Sequence, residues 1–439
     1  MNRLMRTIVT LLAIATMATP SFAETLQDAL KAGTLSGTLS FFTIQAEDAD
    51  SAALNGIRGR STSQVATRFN YKSGSFYGFT LGTAFQASHS LEDFKGFEES
   101  TPGEENDPRA GISDARLLEL YLDYGFKKSN LKVGRQIIHS PMVSNADSYC
   151  YPMSDSFDAA VITTTLIPDT MVQGILIKQW NLRNADLETH LSDPLYSLFV
   201  VNNSIENLTL LGQYATTSQD EYNNGAAGYF NDFLEPTLNR EGWEQYLLQA
   251  TYNLPISHPV TLGAQYGATS FDEAGEDDTY WYGAKISTEI EKIKLAASYV
   301  KIDEDNSLVS TFGHAPNGIT YNNMWGLDLL FAGLESVVLS ANYDFGNVGV
   351  KGLDATLLYA TIKQDKDSNV FYNGYEAYLD GVNEIDLLVQ YAFQGALEGL
   401  SVNFWGGLIM DVPNYSSDLS TLDGEEDHTH FRFRVQYAF

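Results

Sequence analysis

The stretch EIDLLVQYAF (residues 384–393) places Ile385, Leu387, Val389, Tyr391 and Phe393 on one parity and Glu384, Asp386 and Gln390 on the other. A period of two is the signature of a β-strand with two unlike faces. The chain's end repeats the pattern: Phe431, Phe433, Val435, Tyr437 and Phe439 alternate with His430, Arg432, Arg434 and Gln436. Both stretches close on Val-Gln-Tyr-Ala-Phe, and similar alternation runs through 260–268, 280–287 and 337–345. A chain built from such strands must give each of them two different solvents.

Alternation alone also suits a soluble sandwich or propeller. Two further features favour a membrane barrel. Tyr-x-Phe closes several runs (Tyr124–Phe126, Tyr343–Phe345, Tyr391–Phe393), as interfacial aromatics do where a strand leaves the apolar slab; Tyr, Trp and Phe are all expected in this girdle. The connections also come in two lengths. Short ones such as 127–129 and 255–258 take turns with long polar, mostly acidic ones such as 47–62, 89–113, 218–241 and 304–334. The fold expected is all-β, a transmembrane antiparallel β-barrel with short periplasmic turns and long acidic extracellular loops. The strands number about 18, the first near 34–46 and the last near 427–439, and a count of 16 stays open. The apolar segment 323–334 is assigned to a long loop or a folded-in segment, because an extra strand would break the even count.

No apolar run after the leader reaches the ~18 residues of a membrane helix. The leader itself has Arg3 and Arg6, an apolar stretch from Thr7 to Ala18, and small residues at Ser21–Ala23, the pattern of a secretory signal cleaved after Ala23. Its removal takes the net charge from −30 to −32, since it carries two arginines and no acid. So acidic a chain is a poor partner for nucleic acid. Cys150 is the sole cysteine, which excludes an internal disulfide. Residues 24–33 follow, with Leu26, Ala29 and Leu30 at helical spacing, as a short segment for the periplasmic mouth or a frayed leader; residues 34–439 make the barrel.

The segments TLQDALKAGTLSGTLSFF (25–42) and LKVGRQIIHSPMVSNADSYCYPMSDSFDAA (131–160) resemble the OprD family of outer-membrane porins, through Lys132, Gly134, Gln136, Pro141, Asn145, Asp147, Pro152 and Phe157. The resemblance implies a Gram-negative outer-membrane channel in which the loop near 139–156 folds inward as a constriction. It also implies passage of small solutes, often carboxylates or amino acids, past a basic strip. The terminal Phe439 resembles the signal read by the barrel assembly machinery. This chain departs from the family in having few arginines and many acids, which leaves a carboxylate preference open.

Pore-lining candidates on the wall are Arg68, Lys72, Lys132, Arg135, Lys285, Arg432 and Arg434, and in the loop Asp147, Tyr149, Tyr151 and Asp155. Arg432 and Arg434, two residues apart on one strand, point the same way and can guide anions or balance Glu384 and Asp386 nearby. Arg135 falls in phase with Leu131 and Val133, an outward parity that a bulge or the bilayer rim has to rescue. Asp427, His428 and His430 look like a metal-ligand set but read best as a hydrated strand end, and no cofactor or metal is expected. The acidic runs 98–107, 272–278 and 423–427 read as solvated loops, with divalent ions bridging lipopolysaccharide as the other reading.

The function expected is a water-filled channel for ions and small hydrophilic solutes, embedded in outer-membrane lipid as a monomer or homotrimer. A barrel of this size leaves an aqueous lumen. The alternatives are an adhesin or structural barrel and a barrel enzyme. Against the last, the seven histidines are scattered and no Gly-x-Ser-x-Gly elbow is present.

Overall fold

Two parities with two solvents close here into a single sheet. The computed structural model describes residues 25–46, 60–91, 113–145, 153–182, 188–218, 242–272, 277–309, 311–313, 318–322, 324, 327, 329–365, 368, 379–415 and 422–439. A short helix, α1 (Leu26–Lys31), precedes eighteen strands. These are β1 (Thr34–Ala46), β2 (Arg60–Lys72), β3 (Phe79–Ser90), β4 (Asp114–Phe126), β5 (Ser129–Gln136) and β6 (Ser156–Thr164). Next come β7 (Thr170–Asn181), β8 (Glu188–Ile205), β9 (Leu208–Thr217), β10 (Trp243–Asn253), β11 (Val260–Phe271) and β12 (Thr279–Ile290). The last are β13 (Ile293–Ile302), β14 (Leu334–Asp344), β15 (Leu353–Gln364), β16 (Asn383–Ala392), β17 (Leu400–Tyr415) and β18 (Leu422–Ala438). Each pairs antiparallel with its sequence neighbours, and β1 pairs with β18, so the sheet has no free edge. In hydrocarbon that closure is obligatory, because an open edge would leave backbone groups unpaired.

The described residues of 323–334 form no nineteenth strand, and Leu334 opens β14. Of these residues, Leu327, Leu329, Leu330, Phe331 and Ala332 are buried inside the barrel. The outward parity is apolar along the wall, with Leu262, Ile286, Leu339, Leu357 and Leu387 exposed. Tyr-x-Phe marks the short-turn end: the rings of Tyr124 and Phe126, Tyr343 and Phe345, Tyr391 and Phe393, and Tyr437 and Phe439 lie within 6.3 Å of each other. Turns at this end are tight enough to force left-handed backbone at Lys127, Asn207, Glu291 and Lys292, the geometry of two-residue hairpins.

Tryptophan departs from the expected girdle. Trp180, Trp243, Trp281 and Trp405 are all buried on the inner wall, and the first three pack in one core with the folded-in chain. Helix α1 is capped by Thr25, whose hydroxyl accepts from the Asp28 amide at 3.1 Å. It docks at the short-turn end, where Gly74 N–H donates to the Ala29 carbonyl at 2.8 Å and the Tyr71 hydroxyl donates to that of Leu30.

Candidate functional site

The core of this molecule lies inside the barrel, where two long connections turn inward and pack on the wall. The first joins β5 to β6. Ile138 and Asn145 clasp its base, with Ile138 N–H donating to Asn145 Oδ1 at 2.8 Å and Asn145 N–H to the Ile138 carbonyl at 3.0 Å. Its outgoing limb is held by Gln213 on β9: the Met142 amide donates to Gln213 Oε1 at 3.0 Å, and Gln213 Nε2 donates to Ser140 Oγ at 2.8 Å. Its returning limb is fixed at Ser154, whose carbonyl accepts from Gln86 Nε2 at 2.6 Å and from the Arg116 guanidinium at 2.9 Å.

The second joins β13 to β14 and meets the first in mid-lumen. Ser144 N–H donates to the Phe312 carbonyl at 3.0 Å, Phe312 N–H to that of Met142 at 2.8 Å, and the Thr311 hydroxyl to that of Pro141 at 2.8 Å. The Phe312 ring stacks on Phe157 at 5.5 Å and tilts against Trp180 at 5.2 Å. Wall glutamines hold this loop too: Gln245 Nε2 donates to the Val309 carbonyl at 2.8 Å and Gln265 Nε2 to that of Ile319 at 2.6 Å. An amide suits this task because it donates to a buried carbonyl without bringing in a charge. The loop near 139–156 is expected to fold inward, and a folded-in segment is one reading of 323–334; described residues of both connections pack together inside the barrel.

Most of the wall cations stand on one arc of adjoining strands, β18, β1, β2, β3, β4 and β5. Arg434 lies across from Phe42 and Asn403, is buried, and donates to Gln436. Arg432 lies across from Ile44 and Trp405. Arg68 and Lys132 flank one carboxylate, Glu119, at 3.5 and 3.7 Å, and the Lys132 ammonium sits 3.8 Å from the centroid of the Tyr121 ring. Lys72 is exposed on the inner parity two residues beyond Asn70. Lys285 belongs to the far wall, 5.7 Å from the Tyr321 ring of the second loop.

Arg135 does not join them. It keeps the outward parity and forms an ion pair with Asp158 at 2.9 Å, which supplies the rescue its position demands. Asp155 is fully buried, accepting from Trp180 Nε1 at 2.6 Å and from Asn145 Nδ2 at 3.1 Å. Asp147, Tyr149, Cys150 and Tyr151 lie outside the described residues. Outside the wall, at the start of the second loop, Asp303 raises the pKa of Asp305 by like-charge repulsion.

Two features escaped the sequence reading. Arg116 faces inward because a bulge at Leu118 shifts the parity of β4, burying Leu118 while Leu117 and Leu120 stay exposed. The loop-holding glutamines did leave a signal: Gln213-Tyr214, Gln245-Tyr246 and Gln265-Tyr266 are one dipeptide, amide inward and ring outward.

A family model described as outer membrane porin, OprD family, matches residues 118–438. The chain belongs to the OprD family. This porin also shares its architecture with three solved structures from Pseudomonas aeruginosa. OpdK with vanillate is 15% identical, with 93% of this chain and 99% of that one covered and a TM-score of 0.70. OpdO is 16% identical, with 94% and 98% covered and a TM-score of 0.69. OccD3 (OpdP) is 15% identical, with 97% of each chain covered and a TM-score of 0.68. At such identities the likeness is one of fold. No curated protein sequence matches the chain. The porin is an outer-membrane channel for small solutes.

Proposed function

We propose that this porin is selective, and that solutes with an anionic end travel along the arc of Arg432, Arg434, Arg68, Lys72, Arg116 and Lys132. The observation that carries the reading is that arc itself: six cations on neighbouring strands beside a lumen narrowed by two loops. Glu119 tempers the strip by pairing with two of them, and Arg116 has a second task in holding Ser154. A charge on a low-dielectric wall outweighs more distant, water-screened loop acids. The long acidic loops, turned outward, then enrich cations at the mouth while the strip favours anions within.

In this reading the chain is exported on a leader cleaved after Ala23, residues 24–33 sit at the periplasmic mouth, and the loops meet lipopolysaccharide. Phe439 presents the assembly signal. The vanillate bound by OpdK makes aromatic carboxylates a sensible first probe. Liposome swelling with benzoate and with benzylamine tests the proposal. Faster entry of benzoate, slowed by Arg432→Gln with Arg434→Gln, is expected; equal rates unchanged by the pair would refute it.

A further inference from the structure

The inner wall carries one cluster that the channel reading does not use. Glu384 and Asp386 on β16 and His430 on β18 bring one ligand atom each to within 4.8 Å of the others. All three are buried, at 0%, 1% and 8% exposure. The acids expected beside the histidine were those of its own strand, but Asp427 takes the opposite parity, is exposed, and accepts from the Asp411 amide. The carboxylates come instead from two strands away, and the hydrated strand end is a buried one.

Register explains the meeting. Asp386 lies across from Gly407 on β17, and Gly407 lies across from His430, so the glycine stands between the two ligands. A Cβ there would come within 2.2 Å of His430 Nε2 and 2.3 Å of Asp386 Oδ1. Any side chain at 407 would fill the place where these atoms converge. Their spacing is also informative. His430 Nε2 is 3.5 Å from Asp386 Oδ1 and 3.8 Å from Glu384 Oε1, and it makes no hydrogen bond. Both separations exceed the ~2.7–3.2 Å of an N–H···O bond. They lie near the edge of a tetrahedral zinc site, where bonds of about 2.1 Å set ligands about 3.4 Å apart.

We propose that Glu384, Asp386 and His430 bind a divalent first-row transition ion, zinc or cobalt by preference, in the barrel wall. A +2 ion matches the two carboxylates in charge, and the imidazole nitrogen favours such ions over calcium or magnesium. Bound there, it bridges β16 and β18 across β17.

The test uses the full-length porin in detergent, stripped with chelator and titrated with Zn2+ or Co2+ in excess Ca2+, which occupies carboxylate-only sites on the loops. One calcium-resistant equivalent per barrel is expected, with visible cobalt bands. Asp386→Asn and His430→Gln should each weaken zinc binding by more than roughly 100-fold, beyond the loss of an outer-shell partner. Gly407→Ala should do so without removing any ligand. Heat-modifiable gel mobility checks that each variant is a folded barrel, with the near-isosteric Asp386→Asn as the mildest change. No calcium-resistant equivalent in the parent, or the same affinity in Asp386→Asn, overturns the proposal and leaves the cluster as a histidine between two acids.

Discussion

Phe439 and Gly37 exchange both of their backbone hydrogen bonds, Phe439 N–H donating to the Gly37 carbonyl at 3.0 Å and Gly37 N–H to that of Phe439 at 2.9 Å. The last residue thus closes the ring on the first strand. Its side chain lies edge-on to Phe69 at 6.0 Å, and a Cβ at residue 37 would sit 2.7 Å from the Phe439 ring. The earlier copy, Phe393, instead donates its N–H to the Leu400 carbonyl of the strand that follows it.

Removing Phe439 should therefore cut the yield of assembled barrel severely, whereas Phe393→Ala should cost local packing alone. Quantifying heat-modifiable porin in outer-membrane fractions checks this. Equal defects in the two variants would mean that the seam holds no special place.

Asp155 is a structural anchor, so its charge should matter less than its acceptor oxygens. Asp155→Ala leaves the buried donors of Trp180 and Asn145 without this acceptor, a loss on the order of 2–4 kcal/mol at the loop base. Open-channel noise and mean conductance should rise in single-channel records, while Asp155→Asn stays near the parent level. A selectivity change in Asp155→Asn with a quiet channel would place the carboxylate on the solute path after all.

The glutamine holds should be separable from the barrel. Gln265→Leu removes the Gln265 donor from the Ile319 carbonyl, at about 0.5–1.5 kcal/mol for one hydrogen bond. Hydrogen exchange should accelerate around residues 318–322 and stay unchanged in β11 and β12. Uniform acceleration along those strands would show that loop and wall open together.

The barrel was legible because lipid sorts every second residue: Ile385, Leu387 and Tyr391 declare an outward face, and their neighbours an inward one. What the parity rule cannot supply is where it breaks. The bulge at Leu118 turns Arg116 inward, whereas Arg135 and Asp158 are direct cross-strand partners that only the register of β5 against β6 brings together. Contacts between loops were out of reach for a different reason. Phe312 meets Phe157 and Trp180, and Thr311 meets Pro141, only once the strands between them have curved round the lumen. The buried tryptophans misled because an amphipathic ring suits a membrane interface and a packed lumen equally well.

The central claim is that a short arc of wall cations acts on permeating ions inside the lumen, drawing anions against the cation preference of the acidic mouth. The direct measurement is the single-channel reversal potential in a potassium chloride gradient. The parent should show modest cation preference, and Arg432→Gln with Arg434→Gln should move it further toward cations, with Arg68→Gln adding to the shift. A reversal potential that ignores all three arginines but moves when the acids at 98–107 or 272–278 are neutralised would put selectivity at the mouth and contradict the account.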